Sequence, residues 1–367
     1  MSDELSDLRT AIDAVDEQLV ALLNRRAELH LRVKEAKKGL NLATYVPARE
    51  REVMERVLKL AEGGNFPKYG LERIFGTILS VSRAMQGEQT ICYLGPKGSQ
   101  AFDAAMSRFG SNAMLQPETA IKDVFEKVET GHAQYGVIPL ETSFGGLVSG
   151  SLHAFLHSPL NIISEITRRS SLVLLSPEVG LERIKRVYGD SNAVILAERW
   201  MSINLPGVAI EVVANSDVAA KLALDSECSA MLGSEHLADS YPMAIIARGI
   251  EEEGASSRYV VIGNIEVPPS DRDKTSLLCE VPDKPGALLE VLEPFARAQI
   301  TLTKIDSRVL APSAMGSSQI STTAGDYFFF VDFLGHREDA AVKAALADLA
   351  QVCSGVHVLG SYPRESI

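Results

Sequence analysis

The sequence predicts three fold classes in succession on one chain: an all-α segment, an α/β segment and a closing α+β segment. Three observations carry this. Residues 5–36 keep a three-four apolar spacing with no proline. From Thr90 the spacing changes to short β-rich runs alternating with helical stretches. After the proline-rich break Val267-Pro268-Pro269-Ser270-Asp271 the order becomes strand, helix, strand, strand, helix, strand. At 367 residues two or three domains are expected, placed at 1–88, 89–268 and 274–367.

The first helix shows its apolar seam at Leu5, Leu8, Ile12, Val15, Leu19, Leu22, Leu29, Val33 and Ala36. Asp3 and Glu4 suit its N-terminus, and Gly39 can end it. Such a helix of roughly 36 residues is on the order of 50 Å long. A small domain cannot cover it, so a second copy of the chain is expected to pack against it. Arg26 takes one place in the seam. A guanidinium facing a core either fixes coiled-coil register or meets an anion, since unpaired it costs several kcal/mol. Lys37, eleven residues on, points almost the same way. Arg9 lies roughly 25 Å back along the axis and reaches such a pocket only from an antiparallel partner helix. A second helix starts at Pro47; Glu50, beside Arg49, interrupts its stripe of Val46, Val53, Val57 and Leu60. A third, about Leu71 to Gln86, places Phe75, Leu79, Ser82 and Gln86 on one face. Cations, one carboxylate, a hydroxyl and an amide suit a small polyanion that bears a hydroxyl.

On Arg9, Arg26, Lys37, Arg49, Glu50, Ser82 and Gln86, residues 1–88 resemble the all-helical chorismate mutases, whose dimers interlace long helices. The resemblance implies that Arg26 and a second copy's Arg9 hold the carboxylates of chorismate. Lys37 and Gln86 would donate to its ether oxygen, and Glu50 would hold the ring hydroxyl. Some members carry aspartate where this chain has Val46, which removes one hydroxyl contact. The rearrangement needs no nucleophile, metal or proton transfer. It needs a selected conformer and charge stabilisation at the ether oxygen, which clamps and fixed donors supply.

Composition bounds the rest. Hydrophobic residues make up 46%, enough to fill real cores, and a net charge of −12 argues against nucleic acid. Cys92, Cys228, Cys279 and Cys353 have no ligand spacing, so reduced thiols in a cytosolic protein are expected. No secretory leader or membrane-spanning apolar run is read, and the seven histidines form no metal motif. No metal or cofactor is expected.

In the α/β segment, loops at strand ends are the candidate ligand sites. Gly95-Pro96-Lys97-Gly98-Ser99 follows the first strand and precedes a helix, where backbone N–H groups bind anions; Gly-Pro turns there are also common structural features. Glu141-Thr142-Ser143 ends another strand and by itself reads as a turn. Ser257-Arg258-Tyr259 opens a strand that reads as buried, and its arginine is either a structural ion pair or a ligand contact. With the runs YLGPKGSQAF, VFEKVETGHAQYGVIPLE and LGSEHLAD, this segment resembles prephenate dehydratase. That implies a two-lobed fold related to periplasmic binding proteins. The family's Glu-Asn-Ser stands here as Glu141, Thr142 and Ser143, and its Thr-Arg-Phe as Ser257, Arg258 and Tyr259. Two further stretches depart from the family at Asp190 and Asp217. Ser257 would donate to the leaving hydroxyl, while Arg258 and the Ser99 loop would serve the carboxylates.

The last segment has the order of a ferredoxin-like fold, which alone implies no function. It resembles the ACT regulatory domain through Pro285-Gly286-Ala287-Leu288 and Asp306-Ser307-Arg308. The implied effector is phenylalanine, bound between paired domains. The loop from Pro312 to Gly325 is longer than the fold needs and is expected to be flexible. The reading is a mutase joined to a dehydratase under phenylalanine feedback. One rival is a mutase whose second module only binds or regulates; another is a module that decarboxylates prephenate and keeps the hydroxyl. The product formed from prephenate separates them.

Overall fold

In the computed structural model, residues 2–38, 45–178, 180–309 and 327–365 are described. Two compact units emerge: Met1–Gln89 with Ser111–Ala113, and Thr90–Gly110 with Met114–Ile367.

The first unit is helical, with α1 (Ser2–Lys38), α2 (Pro47–Leu60) and α3 (Lys68–Gln86). Pro47 opens α2, where its missing N–H is no loss. The expected seam of α1 is open to water: Leu5, Leu8, Ile12, Val15, Leu19 and Leu22 are each 52–62% exposed.

The second unit begins with a lobe built as β1 (Thr90–Leu94), α4 (Gln100–Phe109), β2 (Met114–Glu118), α5 (Ile121–Glu129), β3 (Tyr135–Thr142), β4 (Gly146–Leu147), α6 (Ser149–Leu156) and β5 (Asn161–Arg169). The chain then crosses to a second lobe: β6 (Val173–Ser176), β7 (Arg186–Asp190), α7 (Ser191–Asn204), β8 (Ala209–Val213), α8 (Ser216–Asp225), β9 (Ser229–Gly233), α9 (Leu237–Ser240) and β10 (Ala244–Arg248). It returns as β11 (Ser256–Gly263), which inserts between β3 and β5. The first sheet thus runs β2-β1-β3-β11-β5, and the second runs β10-β6-β9-β7-β8. Two lobes joined by two crossings make the expected two-lobed architecture. β2 was not anticipated: Pro117 and half-exposed residues mark an edge strand.

The C-terminal segment follows as β12 (Asp273–Val281), α10 (Ala287–Arg297), β13 (Leu302–Val309), β14 (Tyr327–Leu334), α11 (Ala340–Val352) and β15 (Gly355–Pro363). Its antiparallel sheet, ordered β13-β14-β12-β15, is the ferredoxin-like arrangement. One sheet face is covered by α10 and α11 through Leu277, Val291, Phe295, Phe333 and Leu349. The other face merges with the first lobe: Leu278, Phe330, Leu359 and Tyr362 share one core with Ile138, Val260 and Ile162. A Cβ at Gly360 would lie 2.2 Å from the carbonyl oxygen of Ile162, so only glycine permits that approach of β15 to β5. The long loop expected at 312–325 lies outside the described residues.

Candidate active sites

In the helical unit, Arg26 is half-buried and its Nη1 donates to Ser82 Oγ at 2.6 Å. Ser82 in turn donates to the Ile78 carbonyl at 2.7 Å, which leaves its lone pairs for the arginine. Burial pushes the Arg26 pKa below its ordinary value, and among the described residues no carboxylate pairs with it. Glu50 is taken by Arg83 Nη1, and the Arg83 guanidinium lies 5.7 Å from the centre of the buried Tyr45 ring. Arg83 was not singled out from the sequence. It stands four residues after Leu79, on the stripe already recognised, and a charge on an apolar stripe was the signal used for Arg26 and Glu50.

Gln86 is half-buried one turn after Ser82. Lys34, also unanticipated, donates to the Met85 carbonyl at 3.2 Å, a cation at the C-terminal end of α3. Arg49 does not join this group. It is exposed and pairs with Glu52 at 2.8 Å, because neighbours on a helix point about 100° apart and Glu50 holds the inward direction. Arg9 is exposed on α1. The side chain of Lys37 lies outside the described residues.

In the first lobe, β11 sorts its residues by the two-residue alternation of a strand. Ser257 stands opposite Thr142 on β3 and Arg168 on β5. Arg258 stands opposite Glu141 and Thr167 and points to the other face. Ser257 and Tyr259 line a cleft of about 40 Å³ with Gln100, Asp103, Arg168 and Ser170. Ser257 is 2% exposed; its hydroxyl lies beside that of Tyr259, and its Oγ makes no hydrogen bond of good geometry among the described residues. Tyr259 donates to Gln100 Oε1 at 3.4 Å, and burial raises its pKa far above the ordinary phenol. Arg168 was missed because its place beside Ser257 depends on the pairing of distant strands.

Arg258, expected to serve a substrate carboxylate, does not face this cleft. It faces the C-terminal segment, with Nη1 2.5 Å from Asp332 Oδ2, Nη2 donating to Tyr362 at 2.7 Å and Nε 3.0 Å from Glu165. Burial works against its charge, but Tyr362, Asp332 and Glu165 outweigh burial and raise its pKa. Glu141 is on the same face, held by Lys304 at 2.6 Å and 3.6 Å from Arg258. Both line an ionic cavity of about 360 Å³ away from Ser257, and neither joins the cleft. The remaining hydroxyls serve the backbone. Ser99 caps α4, accepting from the Phe102 N–H at 3.2 Å. Thr142 accepts from Gly145 N at 2.9 Å, and Ser143 accepts from Ser256 N at 3.0 Å. Asp190 caps α7, and Asp217 pairs with Lys221 at 2.6 Å.

Of the expected effector residues, Gly286 has φ +85°, a backbone state that favours glycine, just before Ala287 and the exposed Leu288 open α10. On β13, Asp306 and Arg308 share a face and pair at 3.3 Å, while Ser307 is exposed. Arg308 reaches β4: its Nη2 would lie 3.0 Å from a Cβ at Gly146. No hydrogen bond or ion pair among the described residues joins the two motifs.

Comparison with known proteins agrees with this order. Residues 8–87 match the chorismate mutase type II model, 91–266 the prephenate dehydratase model and 275–351 the ACT domain model. The bifunctional chorismate mutase/prephenate dehydratase of Aquifex aeolicus is 39% identical over 99% of this chain and 98% of its own. That of Pseudomonas aeruginosa is 33% identical over 99% and 98%. The crystal structure of a prephenate dehydratase from Arthrobacter aurescens in complex with L-Phe superposes with a TM-score of 0.64 at 29% identity, covering 75% of this chain and 90% of that one. Fold and sites therefore define a multidomain enzyme that joins an isomerase to a lyase. The chain belongs to the bifunctional chorismate mutase/prephenate dehydratase family.

Proposed function

We propose that Arg26 and Ser257 mark the two active sites of this bifunctional enzyme, which converts chorismate to prephenate and prephenate to phenylpyruvate. Arg26, held by Ser82, binds one chorismate carboxylate. Lys37 and Gln86 donate to the ether oxygen as its bond breaks, and Glu50, set by Arg83, holds the ring hydroxyl. The open seam of α1 packs against a second copy, which contributes its Arg9 to the pocket. The exposure of six large apolar residues along one helix supports this homodimer.

Ser257 donates a hydrogen bond to the hydroxyl that leaves prephenate, and Arg168, rather than Arg258, faces a carboxylate. The observation that carries this assignment is the buried Ser257 hydroxyl, which faces a polar cleft of the first lobe beside the crossing 169–173 and makes no hydrogen bond of good geometry among the described residues. The cleft has room for water rather than for prephenate, so the lobes part at the crossings 169–173 and 248–256 to admit it. Phenylalanine is the proposed effector, at Gly286, Ala287 and Leu288 together with Asp306, Ser307 and Arg308. The complex of the Arthrobacter relative with L-Phe supports it. The modules fall at 1–88, 89–268 and 274–367. A cytosolic setting agrees with the four free cysteines, and among the described residues no helix is long and apolar enough to cross a membrane.

The test is turnover of prephenate by Ser257 variants. Ser257→Ala should lose about tenfold to a hundredfold in dehydratase kcat. Ser257→Thr should hold or raise it, because β-branching fixes χ1. Wild-type rates from Ser257→Ala would remove Ser257 from the site.

A further inference from the structure

Three buried polar atoms that make no hydrogen bond of good geometry among the described residues belong to residues lining one cleft: Ser257 Oγ, Ser170 Oγ and Asp103 Oδ1, the last facing only His236 at ion-pair distance. Such orphans are rare in folded proteins, and a cluster of them calls for a ligand or a reactive role. Asp103 is the one carboxylate among the residues lining the cleft. It projects from α4 in the first lobe, its side chain is 19% exposed, and its Oδ1 lies 3.5 Å from His236 Nε2 of the second lobe. The reaction has a need that Ser257 alone does not meet. A serine hydroxyl orients and polarises a leaving hydroxyl, but hydroxide leaves poorly unless a proton arrives with it.

We propose that Asp103 is the general acid of the dehydratase, placed beside Ser257 to deliver that proton. This rests on the reading that the Ser257 cleft is the dehydratase site. In the step, the bond from the ring to its carboxylate breaks and carbon dioxide departs. That electron pair enters the ring as the ring carbon–hydroxyl bond breaks. The hydroxyl takes the Asp103 proton and leaves as water, giving phenylpyruvate and an Asp103 carboxylate that solvent reprotonates. His236 is 60% exposed and connects Asp103 to bulk water.

The surroundings set the direction of the pH dependence. His236 approaches from the second lobe and lies 3.9 Å from Asp239. Arg168 and Arg169 line the cleft from β5 and Tyr259 from β11, with Asp190 acting on Tyr259 from β7. Burial raises the Asp103 pKa; His236 and Arg168 offset part of that rise. The neutral acid therefore persists to higher pH than for an ordinary aspartate, and kcat should fall as pH rises through that pKa.

The experiment uses the full chain, with prephenate as substrate and phenylpyruvate as readout. Asp103→Asn should lose about a hundredfold in kcat with little change in KM, and should lose the limb on which wild-type kcat falls with rising pH. Asp103→Glu should recover part of the rate and that limb, which a role confined to packing would not produce. Mutase turnover of chorismate should be unchanged in both. If Ser257→Ala lowers dehydratase kcat about tenfold to a hundredfold while Asp103→Asn keeps the wild-type kcat and pH profile, the general-acid assignment fails and the site reading stands. If Ser257→Ala also turns over normally, the cleft is not the dehydratase site and both fail.

Discussion

Arg26 anchors the proposed mutase site through few contacts of its own. Its guanidinium is half-buried, bonded to one neutral hydroxyl, and paired with no carboxylate among the described residues. Truncation removes the partner of a substrate charge, an effect of several kcal/mol. Arg26→Ala should cut mutase kcat/KM at least about a hundredfold and leave prephenate turnover intact; steady-state assays of the two reactions check it. Residues of this kind are legible in sequence when they interrupt an apolar helical stripe, as Arg26, Glu50 and Arg83 all do. The dehydratase residues are less legible. Ser257 and Arg258 are neighbours in sequence but face opposite sides of a strand, and whether Arg168 or Arg258 meets the cleft depends on register across three strands. No local pattern contains that information.

At the scale of elements, β11 carries the proposed second site. Its Ser257 side faces the cleft, and its Arg258 side is tied to β14 by Asp332 and to β5 by Glu165, which also holds Lys274 of β12 at 2.8 Å. Burial alone would raise the Glu165 pKa, but Arg258 and Lys274 bring it below the ordinary 4.5. A carboxylate depressed in the folded state contributes stability above its unfolded pKa and loses it as pH falls through the folded value. The second unit should therefore lose stability on acidification below about pH 4.5. Asp332→Ala leaves a buried guanidinium short of a partner and should cost about 3 kcal/mol at neutral pH. Denaturant melts of the variant and of wild type at both pH values read this; equal stability would show the ion cluster to be incidental. The strands with clear β-rich runs were visible from sequence, whereas β2 was hidden by its proline and its position at an edge.

At the scale of the whole molecule, three fold classes were legible because each has its own periodicity. The fusion of the last segment with the first lobe was not, since Leu278, Phe330 and Leu359 read simply as strand residues until their partners are known. That fusion places Lys304 on Glu141 and Arg308 against Gly146, so β13 bears on the strands next to Ser257. Phenylalanine binding should raise the melting temperature by mass action, and calorimetry with millimolar phenylalanine that detects no binding would remove the effector reading.

The central claim is that two separate sites on this chain perform consecutive reactions. Supplying chorismate to Ser257→Ala, to Arg26→Ala and to a mixture of the two tests it most directly, with products identified by chromatography. Ser257→Ala should accumulate prephenate, Arg26→Ala should leave chorismate unconverted, and the mixture should form phenylpyruvate. A mixture that stops at prephenate, or Ser257→Ala forming phenylpyruvate at the wild-type rate, would contradict the account.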